Sequence, residues 1–114
     1  MPQIINLRNE LLRINTSKNT IEYSQNNGRS WVTRCNNTSY GIFRDLLPWG
    51  TEVLACTSKG LYASQNDGRS FVIRVNNASY GEFYSLADGG ADLLANTSRG
   101  LYYSRNSGRG WVKR

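Results

Sequence analysis

Ser64-Gln65-Asn66-Asp67-Gly68-Arg69-Ser70-Phe71 is the stretch that decides the fold, because the chain writes it three times. The earlier copy is Ser24-Gln25-Asn26-Asn27-Gly28-Arg29-Ser30-Trp31, and the later one is Ser104-Arg105-Asn106-Ser107-Gly108-Arg109-Gly110-Trp111. Their first serines stand at 24, 64 and 104, a constant spacing of forty residues. A fixed period of that size marks a solenoid or a propeller rather than an ordinary globular domain.

Locally the octet reads as a tight turn between two strands. Ile21 and Tyr23 precede the first copy and Trp31 and Val32 end it, while Asn, Ser and Gly fill the middle. Gly accepts positive φ without a steric cost, and Asn or Asp side chains hydrogen-bond the backbone of their own turn. The expected product is a β-hairpin, with the aromatic at the eighth position anchored in the core.

Outward from the middle octet the same logic gives a four-stranded unit. Strands are expected at 40–47, 52–57, 61–64 and 71–74, with turns at Pro48-Trp49-Gly50 and Ser58-Lys59-Gly60. We label these strand positions A to D. The third repeat places them at 80–86, 92–97, 101–104 and 111–114. The first places A and B at 3–7 and 10–15, with a B–C turn one residue longer. The chain is therefore expected to be all-β: three four-stranded antiparallel blades at 1–34, 35–74 and 75–114, forming one continuous half of a β-propeller.

The octet resembles the Asp-box, or BNR repeat, of sialidase-type propellers, written Ser-x-Asp-x-Gly-x-Thr-Trp. Ser24, Gly28, Ser30 and Trp31 match, as do Ser64, Gly68, Ser70 and the aromatic Phe71. The third copy keeps Ser104, Gly108 and Trp111, with Gly110 in place of the hydroxyl, and all three copies carry Asn (Asn26, Asn66, Asn106) where the family has Asp. The resemblance implies a ring of six blades, and a box that is a structural turn remote from any catalytic pocket.

Three blades in an arc leave two faces uncovered, whereas propellers close with about four to eight. Two copies of the chain would supply six. The expectation is a head-to-tail homodimer, blade 3 of each copy packing on blade 1 of the other around a two-fold axis. The alternative is a segment of a longer propeller, or one designed after it.

Composition narrows the chemistry. The net charge is +6 and histidine is absent, which removes the commonest general base and the commonest metal ligand. No cofactor and no metal site are expected. Cys35 and Cys56 stand where other repeats have Val75 and Asn96, so they read as free thiols in a reducing compartment. The N-terminal stretch lacks the pattern of a signal peptide, and no apolar run is long enough for a transmembrane span, which together suggest a cytoplasmic protein.

Propeller topology sorts the loops onto two faces, the octets and A–B turns on one, the B–C turns and D–A links on the other. The second face gathers the candidate ligand-binding residues. Asn36, Asn37 and Tyr40 lie in one D–A link, and Asn76, Asn77 and Tyr80 in the next. Lys59 and Arg99 lie in B–C turns, and Arg74 ends a D strand beside them. Trp49, whose counterpart is Gly89, is added as a stacking platform, with a place in the channel or the chain–chain interface as the other reading. Amides, hydroxyls, an aromatic face and cations suit a glycan, and an anionic one above all. The competing reading is that the amides are turn chemistry, the tyrosines pack between blades and the cations keep the surface soluble.

The sialidase resemblance also raises hydrolysis, which would need an arginine triad, a Tyr–Glu pair and an acid Asp. Arg44, Asp45, Glu82 and Tyr84 are candidates by residue type, yet none sits in a matching motif, so no catalytic residue is assigned. The expected function is a non-catalytic oligomeric binding module for carbohydrate, in an architecture similar to oligomeric propeller lectins. A ligand-free structural ring and a degenerate sialidase-like protein are the alternatives. An even spread of basic residues argues against nucleic acid, although Arg29, Arg69 and Arg109 could form a basic ring on the octet face.

Overall fold

Each octet closes the hairpin between the last two strands of a four-stranded sheet. In the computed structural model, which describes residues 4–36, 38–76 and 80–114, the first sheet holds β1 (Ile5–Leu7), β2 (Glu10–Asn15), β3 (Thr20–Ser24) and β4 (Val32–Cys35). The second holds β5 (Phe43–Trp49), β6 (Glu52–Thr57), β7 (Gly60–Ser64) and β8 (Val72–Asn76). The third holds β9 (Phe83–Asp88), β10 (Leu93–Thr97), β11 (Gly100–Ser104) and β12 (Val112–Lys113). Strands pair antiparallel in chain order within each sheet.

The octet chemistry is the same in each blade. Ser64 Oγ accepts from the Gly68 amide at 2.9 Å and donates to Asn66 Oδ1 at 2.8 Å. Asn66 Oδ1 also accepts from the Ser70 amide at 2.9 Å. Ser24 with Asn26, and Ser104 with Asn106, repeat these bonds. The Asn carbonyl oxygen does what a carboxylate would do there. Gly110 serves in the third copy because the turn needs only its amide, 2.8 Å from Asn106 Oδ1.

Strand alternation gives β5, β6 and β7 of the middle blade two buried faces, while β8 at the outer edge is largely exposed. Phe43, Leu46, Val53, Ala55, Tyr62 and Phe71 pack against Leu12, Ile14 and Ile21 of blade 1. Leu47, Leu54, Cys56, Leu61 and Ala63 pack against Phe83, Leu86, Leu93 and Trp111 of blade 3. The A strands lie innermost, β5 touching β1 on one side and β9 on the other.

Several boundaries differ from expectation. The A strands start later, because Gly41 and Gly81 turn the chain with φ of 86° and 83°, and Tyr40 ends a single 3-10 turn at Thr38–Tyr40. Strand β5 runs on through Pro48 and Trp49, pairing them with Val53 and Glu52. A proline fits because β5 is an edge strand with a neighbour on one side only. The B–C turn of blade 1 is two residues longer than that of blade 2, since Asn15 pairs with Thr20 but Thr57 with Gly60. The longer turn lets Asn19 reach the next blade, where its Oδ1 accepts from the Phe43 amide at 2.8 Å.

Candidate functional site

The two faces form as topology requires. On one, the D–A link meets the B–C turn: the Ile42 amide donates to Ser58 Oγ and the Glu82 amide to Ser98 Oγ, at 2.8 and 2.9 Å. On the other, Gln65 of the octet reaches Glu52 beside the A–B turn.

The candidate residues divide between the two faces and the core. Asn36, Lys59, Asn76 and Arg99 are exposed, and Lys59 Nζ donates to the Ser39 carbonyl at 3.1 Å. Asn37 and Asn77 lie outside the described residues. Tyr40 is half-buried against the core instead, edge-on to Tyr62 and Phe71, its hydroxyl accepting from the Phe71 amide at 3.1 Å. Tyr80 is likewise half-buried, edge-on to Phe83 and Tyr102. Trp49 is half-buried against the core between blades 2 and 3.

Arg74 requires a correction of place. Its side chain turns back to the octet face, where it forks onto Glu52 at 2.6 and 2.8 Å and donates to the Ser107 carbonyl at 2.9 Å. Arg34 does the same with Glu10 and the Asp67 carbonyl. These arginines join the ends of two strands to the octet turn of the next blade. The hydrogen bonds from Arg34 and Arg74 hold the Glu10 and Glu52 carboxyls below the ordinary glutamate value. Asn15, then Arg13, does so for Glu22.

One cluster was not among the expected ligand-binding residues. Arg44 and Tyr84 are the unpaired residues of bulges at equivalent positions in β5 and β9. Bulges re-aim a side chain that regular pleating would send elsewhere. Arg44 lies 5.4 Å from the Tyr84 ring centre and 3.0 Å from Glu82 Oε1. Tyr84 is 46% exposed, and Arg44 Nη1 has no partner among the described residues. Glu82 borders the B–C turn through Ser98, so the cluster opens on the face that carries Lys59 and Arg99. The sequence held a signal for the bulges. Phe43 and Leu46 both face blade 1 although three positions separate them, as Phe83 and Leu86 do in blade 3, and a regular strand would require two or four.

Asp45 is buried, and its Oδ2 accepts from the Leu86 amide at 2.9 Å, joining blades 2 and 3. Cys35 and Cys56 are free and buried, and burial pushes the Cys56 thiol well above its ordinary range.

No family model matches the sequence, and no curated protein matches it. Solved structures do. YCF48 bound to D1 peptide superposes with a TM-score of 0.69 at 16% identity, over 97% of this chain and 39% of that one. The Niastella koreensis GH74 enzyme superposes with a TM-score of 0.59 at 22% identity, over 92% of this chain and 16% of that one. The fold is a β-propeller. The chain spans well under half the length of either neighbour, and identities this low carry the fold alone.

Proposed function

We propose that this propeller is a non-catalytic binding module whose ligand class is carbohydrate, held over Tyr84 on the face of the B–C turns. The observation that carries the reading is the pair of equivalent bulges that sets an exposed tyrosine ring beside Arg44, which pairs with Glu82. An aromatic face covers the apolar side of a sugar ring, while a guanidinium and a carboxylate take its hydroxyls or acidic groups. The stacking role expected of Tyr40 and Tyr80 passes to Tyr84, with the exposed Asn36, Lys59, Asn76 and Arg99 in the links and turns of that face.

The absence of catalysis is supported by what the acids do. All eight carboxylates are engaged in ion pairs or backbone hydrogen bonds. Glu10, Glu22 and Glu52 are shifted downward, opposite to the shift a general acid needs. A second copy supplies the other three blades in this reading. A peptide ligand is the second possibility, favoured by the neighbour solved with a peptide bound.

A glycan array tests the proposal. Retention on acidic glycans, released by the free sugar and lost in Tyr84→Ala and Arg44→Ala with the fold intact, is the expected result. Retention unchanged in both variants sinks this site. Cleavage of a fluorogenic sialoside that is abolished by Arg44→Ala establishes the hydrolase alternative.

A further inference from the structure

We infer that the outer face of blade 3 is built to receive the first octet of a second copy of this chain, with Leu101 and Arg114 as the receiving residues. The inference deepens the two-copy ring proposed above by assigning its contact surface.

The two joints inside the chain set the pattern. At each, the octet glycine of one blade rests on apolar side chains of the blade before it, two at the first joint and one at the second. A Cβ on Gly68 would lie 3.2 Å from Leu12 and 3.6 Å from Ile21, and one on Gly108 would lie 2.8 Å from Leu61. At each, the D-strand arginine of the earlier blade donates to the carbonyl of the residue before that glycine: Arg34 to Asp67 at 3.1 Å, Arg74 to Ser107 at 2.9 Å.

Both halves of this joint are present a third time, unmet. Leu94 and Leu101 occupy the positions of Leu12 with Ile21 and of Leu54 with Leu61. Leu101 is 40% exposed, whereas Ile21 and Leu61 are fully buried. Arg114 lies 3.9 Å from Asp92 and near the Tyr103 ring, the setting Arg34 has with Glu10 and Tyr23. Its side chain is 53% exposed, against 5% for Arg34 and 9% for Arg74. On blade 1, Gly28 is half-buried where Gly68 and Gly108 are buried, and Trp31 where Phe71 and Trp111 are buried. The Asn27 carbonyl occupies the place of the Asp67 and Ser107 carbonyls.

What differs is complementary. The joints inside the chain set apolar Ile14 or Cys56 against Ala55 with Tyr62, or Ala95 with Tyr102. On the outer faces the first position is Asn96, and the second pair is Arg13 and Glu22, 2.9 Å apart. A polar group on one face thus meets an ion pair on the other. That favours this partner over an unrelated apolar edge.

Light scattering on a sizing column decides the matter. The wild-type chain is expected at about twice its 12.9 kDa. Leu101→Glu and Ile4→Glu should each run as one chain with an unchanged circular dichroism spectrum. Ile4 is 60% exposed and holds the blade 1 position of Leu46 and Leu86. Mixed together, the two variants should associate again, because their pairing retains one intact joint. Arg114→Ala should weaken self-association about tenfold. A wild-type chain that runs singly overturns the two-copy ring and this assignment together. A wild-type dimer that survives both glutamate substitutions, or variants that fail to recover on mixing, overturns the assigned surface alone.

Discussion

At the scale of single residues, the octet serine is the most demanding position. Ser64 is 1% exposed, and its hydroxyl is the acceptor for the buried Gly68 amide. Ser64→Ala leaves that amide without a partner and is expected to cost about 1–3 kcal/mol in urea unfolding. Ser24→Ala removes the same bond, but Gly28 is only half-buried and water can replace the hydroxyl in the lone chain. Its cost should be the smaller of the two at low protein concentration. Equal costs would mean that the neighbouring blade does nothing to dry the turn. The residue scale is also where sequence reading worked unevenly. The octet bonds follow from Ser, Asn and Gly at their spacing, because they are local. The fates of Tyr40 and Tyr84 do not, because both are tyrosines on the same path and only packing sends one inward.

At the scale of strands and blades, the ties between D strands and octets matter most. Arg74 is nearly buried and serves β8, β6 and the next octet at once. Arg74→Ala strands the Glu52 carboxylate and should cost about 3 kcal/mol. Arg105→Ala, whose pair with Asp92 is largely exposed, should change stability by no more than about 0.5 kcal/mol. Acid should act on the same ties. Glu10, Glu22 and Glu52 titrate lower in the fold than their ordinary value of 4.5. A depressed folded pKa stabilises fully above that value and is lost as pH falls through the folded one. Urea midpoints should therefore be flat above pH 4.5 and drop below it, with a shallower drop in Glu52→Gln. An unchanged slope in that variant would show that the pair carries no pH-dependent stability. Element type was legible from the repeat, and 52–57 and 10–15 were placed to the residue as β6 and β2. The A strands were misplaced because Gly41, Gly81 and the bulges interrupt an apolar pattern that looks continuous in one dimension.

For the whole molecule, the open faces of blades 1 and 3 set the behaviour. Leu101 and Ile4 stay exposed in a single chain, while their counterparts Leu61 and Leu46 are fully buried within it. Association that covers such surface stabilises the folded state by mass action. The melting temperature should rise with protein concentration, and Leu101→Glu should make it concentration-independent. A melting temperature that is constant in the wild type would mean that one chain is the folding unit.

The forty-residue period by itself determined the all-β class, the three blades and the octet turns, because each depends on contacts between residues close in sequence. It also sorted the loops onto their two faces, since alternating strands leave no other path. Only the tertiary structure decided which side chains meet across blades. It took Arg74 from the ligand face to the octet face, packed Tyr40 and Tyr80 against the core, and set Tyr84 and Glu82 beside Arg44. Those outcomes rest on bulges and on packing between residues distant in sequence, where the energy of a side chain depends on a neighbour that its own sequence does not name.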